Sequence, residues 1–154
     1  MNNTSEDKWI DRWEQLHIFE ANVEPSRRKV FVTFPIPYMN GPLHIGHAYT
    51  ASRVDSFAKF KRLQGFNVLF PQGWHWTGQP IVSAAERLAK GDEKMIREFK
   101  EVDKVPDDVL EKFKDPVFMA RYYTERNRTS MKRLGLGIDW RREFTNTKYD
   151  PRFS

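Results

Sequence analysis

Two histidines three residues apart, His44 and His47, open a run that carries neither Gly nor Pro from His47 to Gln64. At i and i+3 they share one face of a first helical turn. Gly46, between them, has no side chain, so a flat ligand could approach the backbone closely. The first N–H groups of a helix have no internal partner, and the dipole there favours anions. Two imidazole donors above such an end suit a polyphosphate whose charge builds during displacement. Taken alone, such a pair is more often a metal pair, a surface accident or a capped helix start. A second stretch is dense with polar and aromatic groups: Gln72, Trp74, His75, Trp76, Thr77 and Gln79.

The elements that must position these residues are legible around them. Residues 30–34 (VFVTF) form a β-branched and aromatic run of buried-strand length. Three prolines and Gly41 then force a bend. Residues 44–64 are long enough for about five helical turns, and Gly65 stands where a helix stops. Residues 66–70 read as the next strand, bounded by Gly65 and Pro71. Strand, helix and strand in so short a span make a βαβ unit with parallel neighbouring strands. Ligand sites in open α/β sheets lie beyond the carboxyl ends of the strands. Loops 35–47 and 71–80 leave those ends and are expected to face one another across a single cleft.

The flanks are plainer. Trp9, Trp13, Leu16 and Phe19 predict an amphipathic surface helix over 5–20, with Ser5 as a cap, followed by a polar connector over 24–29. On the 44–64 helix, Ile45, Tyr49, Val54, Phe57, Ala58 and Leu63 give an apolar stripe, and Arg53, Lys59, Lys61 and Arg62 read as a solvated face. Helices are expected over 80–90, 92–102 and 106–114. Asp115 and Pro116 cap and open another that runs to Leu134 and stops at Gly135. Its middle, 124–130, is polar all round, which is odd for a core helix. Its basic residues Arg121, Arg126, Arg128, Lys132 and Arg133 leave open a phosphate-facing role beside simple solvation. After Gly137 the chain reads as strand or extended.

Composition sets outer limits. The 154 residues suffice for one domain with a core. The net charge is +5 and the pI about 9.5, which suits a polyanionic partner without demanding one. With no cysteine, disulfides and cysteine zinc sites are excluded, which fits a reducing cytoplasm. The first residues have no apolar signal core, and no run approaches the ~18 apolar residues of a membrane span.

The motif itself carries a resemblance. Gly41-Pro42-Leu43-His44-Ile45-Gly46-His47 resembles the HIGH signature of class I aminoacyl-tRNA synthetases. Three further stretches resemble the leucyl-tRNA synthetases of archaeal and eukaryotic cytosolic type: residues 34–38 (FPIPY), 70–81 (FPQGWHWTGQPI) and 138–144 (IDWRREF). The resemblance implies an α/β, Rossmann-like parallel sheet, the first half of a class I catalytic domain. Residues 1–29 would be an amino-terminal helix and connector. Residues 30–154 would be the amino-terminal half of the catalytic domain, up to the start of the connective insertion. It implies a cytoplasmic ligase that makes leucyl-adenylate from leucine and ATP with Mg²⁺ and then charges tRNA(Leu). No protein-bound metal and no membrane partner are expected.

Residue by residue, the resemblance gives His44 and His47 the role of catalytic contacts to the ATP phosphates. Asn40, Gly41, Pro42 and Gly46 would complete the ATP site. Phe34, through its carbonyl, with Ile36, Tyr38 and His75, would hold the amino acid. The isoleucine, valine and bacterial leucine enzymes place an aspartate at the His75 position, and a neutral imidazole there can still accept one hydrogen bond from an ammonium. The chain departs from the family at Ile36, where a tyrosine is usual, and at Trp76 and Gln79. It contains no KMSKS loop, editing domain or anticodon-binding region. The expectation is therefore an amino-terminal portion, inactive alone, with an apolar sheet edge exposed and the rest of the enzyme supplied elsewhere, even by a second chain. The alternatives are a non-catalytic synthetase-like fragment or paralogue that binds nucleotide or RNA, and a ligase for methionine, isoleucine or valine.

Overall fold

The computed structural model describes residues 5–150, which divide into two compact units. The first gathers residues 5–35, 43–73 and 129–143; the second gathers 36–42, 74–128 and 144–150.

The first unit is built on a βαβ core. Strand β1 (Lys29–Phe31) pairs in parallel with β2 (Asn67–Leu69), with Val30 opposite Val68, and helix α2 (Ile45–Leu63) lies between them in the chain. The parallel pair and its crossover helix are as expected. Each strand is shorter than its apolar run. The ladder gains one more bond, Val32 N–H to the Leu69 carbonyl at 2.9 Å. Pro35 and Pro37 then lack the N–H a ladder needs, so the strand cannot continue through them. Val32, Phe34, Ala51, Ala58, Val68, Phe70, Met131, Leu136 and Ile138 are buried in this unit.

Helix α2 buries Ala58 of its expected stripe but packs chiefly through a different face. Its buried positions are Ala51, Asp55 and Ala58, while Ile45, Tyr49, Phe57 and Leu63 are exposed. The small alanines allow a close approach, and charged neighbours satisfy backbone groups that would otherwise be orphaned. Asp55 accepts from the Gly137 N–H at 2.6 Å and pairs with Lys59 at 2.7 Å. Lys59 donates to the Gly135 carbonyl at 2.8 Å, and Arg62 reaches the Phe19 and Val68 carbonyls, each at 3.3 Å. Lys59 and Arg62 are thus fasteners rather than a solvated face. Gly137 is fixed by the same contacts, since a Cβ there would stand 2.8 Å from the Arg62 guanidinium and 2.9 Å from the Phe19 ring.

The amino-terminal helix is also shorter than expected. Helix α1 (Ser5–Gln15) ends before Leu16, because His17 takes a left-handed backbone conformation at φ 53°. The turn brings Phe19 back onto Trp13 edge to face, 5.6 Å between ring centres. The apolar residues meant for one helix face therefore meet through a reversal. Ser5 already lies within the helix, so its expected cap role does not hold.

After Gly137 the chain is extended, makes a short 3₁₀ turn (Trp140–Arg142) set by Asp139, and enters a two-residue strand at Phe144–Thr145. Buried Asp139 accepts from the Ala21 N–H at 2.9 Å and from both Nε and Nη2 of Arg141, each at 2.9 Å. Burial pushes its carboxyl up, but the Arg141 and Ala21 hydrogen bonds outweigh that and hold it below the usual carboxylate range. A depressed carboxylate pKa stabilises the fold above the unfolded value, and the contribution is lost as pH falls through the folded value. Asp139→Asn is therefore expected to remove part of the acid sensitivity of unfolding below about pH 4. At neutral pH it should cost about 1–3 kcal/mol. Urea titrations at pH 7 and pH 3 check this; an unchanged difference between the two would rule it out.

The second unit is mostly helical. It contains α3 (Gln79–Ala89), α4 (Glu93–Arg97) running into a π-helical turn (Glu98–Val102), and α5 (Asp107–Leu110) running into a 3₁₀ turn (Glu111–Lys114). Most of α6 (Pro116–Arg133) follows, begun by the Asp115 cap on the Val117 N–H. These match the expected spans closely. The two-residue strand β3 (Gly73–Trp74), which leads into this unit, pairs with β4 (Phe144–Thr145). Trp74, Ile81, Leu88, Phe99, Phe113, Met119 and Tyr123 form its core. The Tyr123 hydroxyl donates to Asp103 at 2.8 Å, and burial holds the Asp103 carboxyl above its usual range.

The polar middle of α6 is explained by what it holds. Thr124 accepts from the Trp76 indole N–H at 2.8 Å. Buried Asn127 donates to the Gly41 carbonyl at 3.1 Å, and Arg126 donates to the Asp103 carbonyl. Arg128 pairs with Glu125. These residues hold loops in place, so the polar middle needs no phosphate to account for it.

Candidate active-site loops

In the first unit, His44 and His47 form a reciprocal cap on α2. The His44 Nδ1 accepts from the Gly46 N–H at 3.1 Å, and the His47 Nδ1 accepts from the His44 N–H at 3.3 Å. This is the capping-box arrangement, built from two imidazoles in place of a hydroxyl and a carboxylate. Its chemical consequence is specific. A ring nitrogen that accepts from a backbone N–H cannot carry a proton, so in each neutral ring the proton sits on Nε2. The two Nε2–H groups are then donors at a helix start where α2 offers no acidic first turn. The rings lie 4.0 Å apart, and burial, with the neighbouring His44 ring adding to it, holds the His47 pKa below its ordinary value. Gly46 is required by the cap itself: a Cβ there would stand 2.9 Å from the His44 ring.

Phe34 is also in the first unit and is buried, with its carbonyl accepting from its neighbour Thr33 at 3.3 Å.

In the second unit, parts of the two loops adjoin. Residues 36–42 and 74–78 are joined by a parallel bridge between Tyr38 and His75. The His75 N–H donates to the Pro37 carbonyl at 3.0 Å, and the Met39 N–H donates to the His75 carbonyl at 3.1 Å. The Tyr38 and His75 rings stack at 4.2 Å. Ile36 and Tyr38 are partly exposed beside them. Asn40, Gly41 and Pro42 line an open cavity of about 490 Å³ with Ser83, Arg87 and Phe99. Arg87 is engaged by Asp92 at 2.7 Å.

Trp76, an apparent departure, is an anchor. Its backbone N–H donates to Asn146 at 2.8 Å, its indole N–H to Thr124, and the Arg121 guanidinium lies over its ring. Asn146, Thr124 and Asn127 hold these loops by hydrogen bonds, and the sequence did not single them out. The signal for the last two was present, in polar residues on a helix that needed burial. Asn146, in a polar Thr-Asn-Thr stretch, gave none. No group of three or more His, Cys, Asp or Glu side chains suited to a metal ion occurs among the described residues.

A sequence model of the class I tRNA synthetases (I, L, M and V) matches residues 8–151, and the chain belongs to that family. Within it, the chain is 46% identical over 97% of its length to a leucine–tRNA ligase of Aeropyrum pernix. It is 48% identical over its whole length to leucine–tRNA ligase 2 of Saccharolobus solfataricus. It spans only 15% and 16% of those two proteins. Its structure superposes on an Agrobacterium radiobacter LeuRS, solved as a ternary complex with tRNA and LeuAMS, with a TM-score of 0.73 at 24% identity. That match covers 98% of this chain and 16% of the other. The fold is thus that of a class I synthetase catalytic domain, carried by parallel strands and the α2 crossover.

Proposed function

We propose that this chain is the amino-terminal part of a leucine–tRNA ligase. Residues 1–29 serve as its leading helix and connector, and residues 30–154 as the first half of its catalytic domain. The observation that carries the reading is the imidazole capping box: both Nδ1 atoms are held by backbone N–H groups, and both Nε2–H groups are left as donors. Leucine, ATP with Mg²⁺, and tRNA(Leu) are the substrates, in the cytoplasm. The rest of the enzyme continues in the same polypeptide or comes from a second chain.

In this reading His44 and His47 donate from Nε2 to the phosphate oxygens of ATP as the leucine carboxylate attacks the α-phosphorus. Their task is electrostatic, and fixed tautomers serve it, because the donors need no reorganisation as charge develops. Asn40, Gly41, Pro42 and Gly46 shape the nucleotide's approach. Ile36 and Tyr38 line the leucine side, and the Phe34 carbonyl and His75 accept from the leucine ammonium. The Mg²⁺ that accompanies ATP neutralises phosphate charge, and no protein-bound metal takes part.

ATP–pyrophosphate exchange by the full-length ligase tests the assignment. Leucine should support exchange well above methionine, isoleucine or valine. His75→Ala should raise the leucine KM about tenfold and leave the ATP KM nearly unchanged, because the ammonium is present in ground and transition states alike. Exchange driven equally by another amino acid, or a leucine KM untouched by His75→Ala, would count against it.

A further inference from the structure

We infer that Thr77, held by Asn146, positions His75 for the leucine ammonium by fixing which ring nitrogen carries the proton. The inference rests on the proposed role of His75.

The chain of contacts begins at Asn146, whose amide is oriented by the backbone. Its Oδ1 must face the Trp76 N–H, from which it accepts at 2.8 Å, so its Nδ2 faces the other way. That Nδ2 donates to the Thr77 Oγ1 at 2.9 Å, which fixes the hydroxyl oxygen in place. The same Oγ1 lies 3.1 Å from the His75 Nε2. Trp76 is in turn pinned to Thr124, and the His75 backbone is pinned on both sides to Pro37 and Met39. The ring and the hydroxyl, two residues apart on one loop, therefore face one another on a segment anchored by Pro37, Met39, Thr124 and Asn146.

Two arrangements satisfy that contact. Thr77 could donate to Nε2, which puts the ring proton on Nδ1. Alternatively Nε2–H donates to the second lone pair of Oγ1, which leaves Nδ1 bare. An ammonium has only donors to offer, so His75 can receive it only through a bare nitrogen. Nε2 is occupied by Thr77, and Nδ1 has no hydrogen-bond partner among the described residues. The proton therefore sits on Nε2, Thr77 accepts it, and Nδ1 faces the ligand. Thr77 touches no substrate in this arrangement; it is a positioning residue.

The test uses the full-length ligase and two ligands, leucine and its 2-hydroxy analogue, the latter as a competitive inhibitor. A hydroxyl can donate or accept, so the analogue tolerates either ring tautomer, whereas the ammonium tolerates one. Thr77→Val should raise the leucine KM about tenfold and change the Ki of the analogue by less than about twofold. The kcat and the ATP KM should stay near wild type, and Thr77→Ser should restore the leucine KM. Thr77→Val added to His75→Ala should cost nothing more than His75→Ala alone, because the two act through one contact. Equal losses for leucine and the analogue would show a packing role and overturn the proposal. So would a leucine KM unmoved by Thr77→Val while His75→Ala raises it, and that result leaves the reading of His75 standing. If His75→Ala itself leaves the leucine KM unchanged, the reading of His75 falls and the positioning role falls with it.

Discussion

Replacing His44 by Ser and His47 by Glu together is expected to leave α2 as stable as in the natural chain, while kcat for leucyl-adenylate formation in the full-length ligase falls at least ~10²–10³-fold. Ser and Glu three residues apart form the ordinary capping box, so both backbone groups now satisfied by Nδ1 atoms keep a partner. What disappears is the pair of Nε2–H donors, and the new carboxylate faces the anion with like charge. Alanine at either position would mix two losses, since a missing cap alone costs about 1 kcal/mol. The double variant separates them. Thermal unfolding reports the cap, and exchange kinetics at saturating substrates report the donors. A double variant with normal kcat would reduce both histidines to helix caps. Acid supplies a companion observation. The His47 pKa is lowered in the fold by burial and by His44, so the box is intact above the ordinary histidine value and opens as pH falls through the lowered one. The Ser/Glu variant should lose that histidine step in its unfolding profile.

What the sequence showed, it showed where local chemistry decides structure. The helix starts at His44 and Asp115, the stops at Gly65 and Gly135, and the parallel pair around α2 all follow from caps, glycine and strand-length apolar runs. Of the two loops expected to share a cleft, residues 36–42 and 74–78 adjoin through the Tyr38–His75 bridge within the second unit. The errors share a different cause. The apolar residues of α2 suggested its buried face, yet of them only Ala58 is fully buried, beside Ala51 and Asp55. Periodicity assumes that the larger apolar residues face inward. Here the buried side needs close approach and polar fasteners for Gly135, Gly137 and Phe19, and those partners are far away in the chain. The anchors of Trp76 were hidden for the same reason: Thr124 and Asn146 lie 48 and 70 residues away. The reversal at His17 had no glycine to announce it.

The outward-facing residues of the first unit lead to the second large effect. Phe31 is 65% exposed, Tyr49 63%, Phe57 50% and Leu63 88%, and Phe31, Val32, Tyr49, Val54 and Phe57 line an open groove beside β1. β1 is paired with β2 alone among the described residues. A bare strand edge beside large apolar side chains marks a contact surface, and it is a hazard when left uncovered. Residues 1–154 expressed alone are therefore expected to self-associate, and Phe31→Lys with Phe57→Glu should render them monomeric. The same polypeptide should show no detectable leucine-dependent ATP–pyrophosphate exchange. Positioning supplies much of this catalysis, and even a small misplacement costs about 10²-fold. In the proposed reading these 154 residues supply donors to one side of the ATP, and they contain no KMSKS segment for the other. The monomeric variant makes the measurement decisive, because aggregation can then no longer explain a lack of activity. If the soluble variant still fails to exchange, what is missing is the rest of the site. If it exchanges at an ordinary rate with leucine, these loops suffice without the remainder of the enzyme, and the division of labour argued from the capping box is wrong.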